Sequence, residues 1–370
     1  MNEVAIYIHI PFCPSKCGYC DFNSYAMTGD ILEKTTQAIC KQILQSPWKG
    51  RPAKTIFFGG GTPTFLESEQ LQRILEAVRE IHPSLSLIEV TSEANPGTVD
   101  IPKFNAMHQM GFNRISLGAQ SFHQQDLIRL GRVHQSYEIG RAVESARTAG
   151  FKNINLDLMF GLPDQPLWAW AQNLKTAISL APEHLSLYGL TLEPNTRFYK
   201  LHLKGMLQIP EDEIQAKMYH QTLEITQNAG YFQYEISNFS QPGFQCLHNL
   251  CYWKAEEYIG YGPGAVGCMM VNGKRIRHTN LKHPKHYIDA IENETDLWCE
   301  KEILTSEVFR TEKIMLGARL NQGLDFKNLN LDPQKIKGLI ENGWVYLKDE
   351  KIKLTNQGKL FCNNVILELI

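Results

Sequence analysis

The sequence predicts an α/β protein: a partial (β/α)6-type barrel followed by a small α/β C-terminal domain that resembles a winged helix. Two observations predict this fold class. Apolar stretches that alternate like strands recur six times, and each is followed by a stretch with helical spacing. Near residue 300 the pattern changes to two helices and a hairpin.

Repeated strand-then-helix units imply parallel strands joined by crossover helices, which form a barrel, a part-barrel or an open sheet. The chain carries no fingerprint of a dinucleotide fold, so we favour a barrel-like curl. The predicted strands cover residues 4–10, 54–58, 85–93, 114–121, 153–161 and 184–192. The predicted helices cover residues 30–44, begin near 68 and 100, and then cover 137–150, 168–180 and 211–229. Asp30 suits the cap of the first helix, and Pro102 suits the first turn of the third.

The chain divides into three predicted parts. Residues 1–240 form the barrel domain, and residues 241–299 form a connecting segment, rich in glycine and aromatic residues, that fits neither period. Residues 300–370 form the winged-helix-like module. A winged helix suggests DNA binding by analogy, but a helical cap over the barrel is the preferred interpretation, because the net charge is close to neutral.

Composition narrows the classes of function. The 370 residues carry 37 basic and 39 acidic side chains, a formal net charge of -2, so we expect no large nucleic-acid interface. The opening residues lack the pattern of a secretory signal, and no apolar run has the length of a transmembrane segment. We therefore expect a cytoplasmic protein. In a reducing compartment, clustered thiols are more often metal ligands or reactive groups than disulfides.

Three cysteines follow the first predicted strand within eight residues, at Cys13, Cys17 and Cys20. Three thiolates can hold one [4Fe-4S] cluster, with one iron bound by each sulfur and the fourth iron left open. The alternative is a zinc site completed by a distant ligand such as His9. Structural zinc sites usually have two separated arms, and no second arm is present, so we rank zinc below iron–sulfur.

Polar and glycine residues follow the other predicted strands at the points where they end. The run Gly59–Gly60–Gly61 leaves backbone N–H groups unobstructed, so that a ligand carboxylate or amino group can approach closely. The remaining polar residues are Thr62, Glu93 and Gln120 at strand ends, Asp157 within the fifth predicted strand, and Thr191 near the end of the sixth. Taken singly, each is explained by an ordinary hydrogen bond, and Asp157 by a buried carboxylate with partners. Together they are expected to converge on the C-terminal mouth of one barrel.

The spacing C-x3-C-x2-C directly after a first strand resembles the signature of radical S-adenosylmethionine (SAM) proteins. Within that family the chain most resembles oxygen-independent coproporphyrinogen III oxidase and its relatives, through "YIHIPFC", "GGGTPT", "EANP", "LGAQSF", "LGR" and "DLMFGLP". The resemblance implies a radical SAM barrel, in which the amino and carboxylate groups of SAM chelate the open iron. It also implies an electron donor for the cluster, whose electron splits the sulfonium to release a 5'-deoxyadenosyl radical.

Carried over position by position, the resemblance implies a set of residues that contact SAM. They are Tyr7, Tyr19, Gly60, Gly61, Thr62, Glu93, Gln120, Arg132 and Asp157.

Two departures point to one branch of the family. Phe22 stands where the oxidase has a further cysteine, and Tyr7 lies almost at the start, where the oxidase has an extended N-terminal segment. The stretch "HNLCYW", with His248, Asn249, Tyr252 and Trp253, is similar to the HNxxYW element of the HemW-type haem chaperones. The resemblance therefore implies haem binding and delivery of haem to an acceptor protein of unknown identity, without coproporphyrinogen oxidase activity.

An imidazole is a common axial ligand of haem iron, so His248 is the predicted haem ligand. Cys251, Tyr252 or His278 are alternatives, and a histidine beside Trp and Tyr is also typical of a hydrogen-bonded aromatic core. Two other functions stay open. The first is a coproporphyrinogen III oxidase, which removes carbon dioxide from two propionate side chains of its substrate. The second is a zinc-stabilised winged-helix protein that binds DNA.

Overall fold

The computed structural model describes residues 3–84 and 88–370. The strands are β1 (Val4–Ile10), β2 (Ala53–Gly60), β3 (Glu89–Ala94), β4 (Arg114–Gln120), β5 (Ile154–Phe160), β6 (His184–Gly189), β7 (Phe232–Gln233), β8 (Asn238–Ser240), β9 (Tyr258–Tyr261), β10 (Val266–Val271), β11 (Lys274–Asn280), β12 (Trp298–Leu304), β13 (Leu324–Asp325), β14 (Val345–Lys348) and β15 (Lys351–Leu354). The helices are α1 (Asp30–Leu44), α2 (Ser68–Ile81), α3 (Ile101–Met110), α4 (Gln124–Leu130), α5 (Ser136–Thr148), α6 (Leu167–Ser179), α7 (Arg197–Leu203), α8 (Asp212–Asn228), α9 (Leu247–Trp253), α10 (Pro284–Glu292), α11 (Ser306–Gly317), α12 (Pro333–Glu341), α13 (Asn356–Leu360) and α14 (Cys362–Leu369).

The six predicted strands are β1 to β6, which lie side by side in chain order and pair in parallel. The prediction of an α/β barrel-like fold is confirmed. The sheet is not closed by hydrogen bonds between β1 and β6, because β1 also pairs with β9 and β6 also pairs with β8. The predicted start of the third strand, residues 85–87, lies outside the described residues.

Burial on both faces explains why these strands read as nearly continuous apolar runs. In β1 and β5, only the central residue of seven is not fully buried, and these residues are Tyr7 and Asp157. Such strands place few polar side chains inside the curl. The carboxyl ends of all six strands meet at one edge, and this edge carries the predicted site.

Of the two predictions about helix starts, the one for Pro102 agrees with the structure and the one for Asp30 does not. The Asp100 side chain accepts a hydrogen bond from the Lys103 backbone N–H and caps α3, with Pro102 in its first turn. Asp30 was predicted to cap α1 but is its first helical residue, and Gly29 holds the cap position at φ 80°. A glycine adopts this left-handed backbone without steric cost, which explains the difference.

Residues 241–299, expected to be a connecting segment, contribute to the main sheet. Helix α9 carries the HNLCYW stretch, and β9 to β11 extend the sheet from the free edge of β1. The last strand of this extension, β12, runs to Leu304 and crosses the predicted boundary near residue 300. The segment fits neither period because it alternates short strands with glycine turns at Gly262, Gly264 and Gly273.

The C-terminal module has its own three-stranded sheet, in the order β13–β15–β14, and its own apolar core. The predicted hairpin is β14 and β15, and the two predicted helices are α11 and α12. Helices α13 and α14 were not predicted. The three-part division of the chain stays a prediction. No helix in the described parts of the chain combines the length and the apolar composition needed to span a bilayer.

Candidate functional site

The three cysteines lie on the loop that leaves β1, and this loop is anchored by backbone hydrogen bonds. The Cys13 N–H donates to the Tyr25 carbonyl at 3.1 Å, and the Gly18 N–H donates to the Leu130 carbonyl at 3.1 Å. All three thiols are free. The Thr62 hydroxyl lies 3.6 Å from the Cys13 sulfur, and Arg132 Nη1 lies 3.6 Å from the Cys17 sulfur. The loop is therefore fixed at both ends of the cysteine motif.

The donor set suits a cluster. The three thiols line one cavity of about 470 Å³ at the carboxyl ends of the strands. Burial raises the pKa of the Cys13 and Cys20 thiols, and bound iron would replace those protons. Among the described residues, no three His, Cys, Asp or Glu side chains stand in the arrangement of a single-ion site. A cuboidal cluster has a different requirement, because each of its thiolates binds a different iron.

His9, the ligand considered for zinc, has both ring nitrogens in hydrogen bonds. Nδ1 pairs with the Tyr7 hydroxyl at 3.0 Å, and Nε2 pairs with the Asn23 carbonyl at 2.8 Å. Phe22, where the oxidase has a further cysteine, borders the same cavity and is 63% exposed. The structure therefore places an apolar ring at the rim of the thiol cavity.

The glycine run packs against the cysteine loop, which corrects part of the sequence interpretation. Gly60 has φ 112°, and its N–H donates to Glu93 Oε2 at 3.0 Å, so this donor is already engaged. A Cβ atom on Gly60 would lie 2.6 Å from the His9 ring, and one on Gly61 would lie 2.5 Å from the Phe12 carbonyl oxygen. These glycines are needed because β1 and its loop approach so closely, and not only to leave room for a ligand.

Two acids face the interior of the curl, Glu93 from β3 and Asp157 from β5, on either side of β4. Asp157 accepts hydrogen bonds from the Asn155 amide at 2.7 Å and the Ser116 hydroxyl at 3.1 Å. Burial, and then the charge of Asp157, raises the pKa of Glu93 to about 8. Burial also raises the pKa of Asp157. In the ligand-free site, Glu93 therefore holds its proton near neutral pH, and a cationic ligand group would favour its release.

The raised pKa of Glu93 predicts that the free energy of unfolding of the ligand-free protein falls as the pH rises. Its contribution to stability is complete below the unfolded pKa of 4.5 and is lost as the pH rises through about 8. A shift of this size sets an upper bound of about 5 kcal/mol, and we expect on the order of 2 kcal/mol because the side chain borders a water-accessible cavity. Relative to wild type, Glu93→Gln should gain this amount between about pH 5 and pH 8 in urea unfolding.

Glu33 provides the matched control for this prediction. Its hydrogen bond to Arg73 lowers the pKa of its carboxyl to about 2, so it stays ionised over the same range of pH. Glu33→Gln should shift stability by the same amount at both pH values. A parallel pH dependence in Glu93→Gln and wild type would contradict the assignment.

Gln120 and Arg132 border the cavity. Gln120 has an unusual backbone conformation, and Arg132 has a buried side-chain donor without a partner among the described residues. Gln120 ends β4 after a register shift and has φ 65°, which is rare for a residue with a Cβ atom. Its Oε1 accepts a hydrogen bond from the Tyr188 hydroxyl at 2.9 Å. Arg132 Nη2 donates to the Gly118 carbonyl at 2.7 Å, and its buried Nε has no partner among the described residues. The strained Gln120 backbone directs that side chain into the cavity.

A second, deeper pocket of about 230 Å³ lies inside the curl, and α9 forms part of its wall. His248, Asn249 and Tyr252 of HNLCYW line this pocket, whereas Trp253 lines a different one that borders the C-terminal module. The two carboxylate oxygens of Glu89 accept hydrogen bonds from the Leu247 and His248 N–H groups, each at 3.0 Å. This contact fixes the first turn of α9 against the start of β3.

His248 is 1% exposed and fully hydrogen-bonded. Nδ1 pairs with the Thr55 hydroxyl at 2.8 Å, and Nε2 pairs with the Tyr252 hydroxyl at 3.0 Å. Burial lowers the pKa of His248 to about 3, so the ring is neutral, and it stacks on Phe57 with 4.9 Å between ring centroids. The ring could ligate iron only after giving up one of its two hydrogen bonds.

The structure brings most of the predicted site residues to one cavity. This mouth cavity is the one of about 470 Å³ at the carboxyl ends of the strands. The predicted residues that line it are Cys13, Cys17, Cys20, Tyr19, Gly60, Gly61, Thr62, Glu93, Gln120, Arg132, Asp157 and Thr191. Tyr7 and His248 instead line the inner pocket, which is the pocket of about 230 Å³ beside α9. The two pockets share Glu93, Ser116, Asp157, Ser186 and Asn249, so they are neighbours inside one curl.

Sequence analysis missed several polar residues of these walls. They are Asn95, Arg114, Ser116, Asn155, Ser186, Tyr188 and Glu193. Alternation within the strands could have found Ser116 and Ser186, because Ser116 on β4 pairs with Glu93 on β3, and Ser186 on β6 pairs with Asp157 on β5. Arg114 gives no comparable signal, because a cation at the start of a strand is usually exposed.

Comparisons with known proteins identify the family of the chain and its fold. The model of the radical SAM superfamily matches residues 7–177. The chain is 39% identical to the heme chaperone HemW of Bacillus subtilis (strain 168), over 97% of each chain. It is 37% identical to the heme chaperone HemW of Escherichia coli (strain K12), over 99% of this chain and 98% of the relative. Coproporphyrinogen III oxidase (HemN) from Escherichia coli has the same fold, with a TM-score of 0.83 over 99% of this chain and 90% of that one, at 22% identity.

Proposed function

Because the chain belongs to the HemW family of radical SAM proteins, we propose that it is a haem chaperone that binds haem and passes it to an acceptor protein. The family assignment confirms the resemblance inferred from the sequence motifs. One structural observation carries the proposal: His248, Asn249 and Tyr252 of HNLCYW line a pocket that adjoins the three-cysteine cavity. The similarity to the oxidase at 22% identity concerns the fold alone, so oxidase activity becomes an outcome of the test.

The mouth cavity fits the cofactors that this proposal includes. Cys13, Cys17 and Cys20 would hold a [4Fe-4S] cluster, and SAM would bind at its open iron. When bound, these groups supply one-electron chemistry at the sulfonium. Arg132 stays beside the Cys17 sulfur and balances its charge. Ionised Glu93 would accept a hydrogen bond from the SAM amino group. The proposal also includes a cytoplasmic location and an electron donor for the cluster.

The volumes of the two pockets limit the side from which haem can contact the HNLCYW stretch. The inner pocket, at about 230 Å³, lies below the range that drug-sized ligands occupy, whereas the mouth cavity, at about 470 Å³, lies within it. A whole macrocycle would therefore approach from the mouth cavity. The motif on α9 would contact it through a side arm, or after α9 moves.

A haem titration combined with an oxidase assay tests the proposal. Purified protein with reconstituted cluster, SAM and reductant is titrated with haem under anaerobic conditions, while a parallel sample receives coproporphyrinogen III. We expect a saturable Soret band and no protoporphyrinogen. Formation of protoporphyrinogen would support the oxidase, and the absence of a haem complex would contradict the chaperone.

The variant His248→Ala in the same titration tests the motif. We expect weaker haem binding. The change removes the imidazole, and it leaves the Thr55 and Tyr252 hydroxyls without the partner that joins α9 to β2 inside the curl. A shifted Soret band would identify His248 as an iron ligand, and an unchanged band would identify it as a residue that positions α9. Exposed His220 is the control, since His220→Ala should bind as wild type does. Wild-type affinity in His248→Ala would exclude a role in haem binding.

A further inference from the structure

Arg114, the first residue of β4, is a buried cation without a matching anion. It is 2% exposed, and its Nε has no hydrogen-bond partner among the described residues. None of the ion pairs within residues 3–84 and 88–370 includes it. Buried charges are normally paired and hydrogen-bonded, because the loss of hydration is costly. The guanidinium therefore requires a partner that the described chain does not supply at ion-pair distance.

Two acids that act electrostatically on Arg114 already have other hydrogen-bond partners. Glu89 and Asp157 both act on it electrostatically. Both oxygens of Glu89 accept hydrogen bonds from the first N–H groups of α9. Both oxygens of Asp157 accept hydrogen bonds from Ser116 and Asn155. These two carboxylates balance part of the charge at a distance, and the guanidinium donors stay available.

Arg114 lines the inner pocket together with other polar side chains, and most of these already have hydrogen-bond partners. Ser116, Asn155 and Ser186 hydrogen-bond among themselves and with Asp157 and His184. Asn249, which is half-buried on α9, has no side-chain hydrogen bond among the described residues. Arg114 and Asn249 thus offer N–H donors in this wall that can bind a ligand without breaking a hydrogen bond among the described residues.

The remaining lining restricts what can bind there. Tyr7, Phe57 and Tyr252 supply aromatic surface, which suits a short apolar arm. A guanidinium matches a carboxylate through two parallel hydrogen bonds. A dianion such as phosphate would meet Glu93 and Asp157 in the same walls at greater electrostatic cost.

We propose that the inner pocket binds a carboxylate on a short apolar arm, held by Arg114 and Asn249, and that in the haem complex this group is a propionate side chain of haem. The inner pocket and the mouth cavity share lining residues, so in this proposal the arm passes between the two pockets while the macrocycle stays in the mouth cavity. The haem part of this inference rests on the proposed function, and the carboxylate part does not. Glu93 also lines this pocket, and burial raises its pKa to about 8, so without SAM its carboxyl is neutral near pH 7 and tolerates an anion.

Two probes test the proposal: haem against haem dimethyl ester, which lacks free carboxylates, and sodium propionate alone. Wild-type protein should bind haem about tenfold or more tightly than the ester, because a charge-assisted hydrogen bond is lost with the ester. In Arg114→Gln the ratio should fall to about one, with the ester affinity unchanged. Sodium propionate should raise the melting temperature of wild type and not that of Arg114→Gln. Arg310→Gln, in the C-terminal module, is the control and should behave as wild type.

The outcomes separate the sources of the carboxylate. If propionate protects only wild type while haem and its ester bind equally, the carboxylate site stands and its assignment to haem is overturned. If haem fails to bind wild type at all, the proposed function fails, and the propionate arm still decides the site. If neither probe depends on Arg114, the inference is overturned, and Arg114 serves only to balance Glu89 and Asp157. Should Arg114→Gln not fold, Asn249→Leu gives the same comparison from a half-buried helix position.

Discussion

Replacing Cys17 with alanine is expected to abolish the iron–sulfur cluster. After anaerobic reconstitution, iron and acid-labile sulfide should fall from about four per chain to near zero. Each of the three thiolates would bind a different iron, so the variant leaves two of four irons without a protein ligand. Arg132, whose Nη1 lies 3.6 Å from the Cys17 sulfur, would also lose its charge partner. Iron and sulfide analysis with visible absorption measures the effect.

Cys299 supplies the matched control for this loss. It is the exposed cysteine among the nine, and its sulfur donates to the Thr279 and Asn280 carbonyls, away from the mouth cavity. Cys299→Ala should keep a full cluster. A complete four-iron cluster with an unchanged spectrum in Cys17→Ala would contradict the assignment of the three ligands.

Gly61→Ala is expected to have the second-largest effect, on both stability and cluster content. The added methyl group would lie 2.5 Å from the Phe12 carbonyl oxygen and 2.9 Å from the Phe12 carbonyl carbon and backbone nitrogen. Phe12 precedes Cys13 directly, and its carbonyl accepts the Thr62 N–H at 2.7 Å. The methyl group therefore separates the glycine run from the cysteine loop. We expect a loss of about 1–3 kcal/mol in the free energy of unfolding, and reduced iron content.

Gly140 provides the control, because it is a glycine inside α5 with space around it. The nearest atom to an added Cβ is Leu180 Cδ2, at 3.9 Å. Gly140→Ala should stabilise the protein by about 0.5–1 kcal/mol, since alanine favours the helix. Urea unfolding of both variants measures the contrast. Equal stability of Gly61→Ala and wild type would show that the two loops are not packed as described.

The sequence allowed prediction of features that depend on local patterns. Parallel strands with crossover helices follow from periodicity, and the convergence of Cys13 and Glu93 follows because parallel strands end at one edge. The caps were predicted less well, because Gly29 replaces Asp30 through a backbone conformation that composition does not reveal.

Features that depend on contacts between distant residues could not be predicted. The inner pocket exists because Glu89 holds the first turn of α9 from a strand that lies 158 residues earlier in the chain. The need for Gly60 and Gly61 comes from His9 and Phe12 on the neighbouring strand and loop. Arg114 looks like any cation at a strand start, and only its burial without a partner marks it.

The measurement that tests the chaperone account most directly is the rate of haem transfer. Haem-loaded protein is mixed either with haem-free globin, as a passive scavenger, or with a haem-depleted extract of the source cells at equal haem-binding capacity. A chaperone delivers haem by contact, so the account predicts faster loss to the extract, with a rate that rises with extract concentration. Equal rates for both, independent of concentration, would mean that haem leaves only by spontaneous dissociation and would contradict the account.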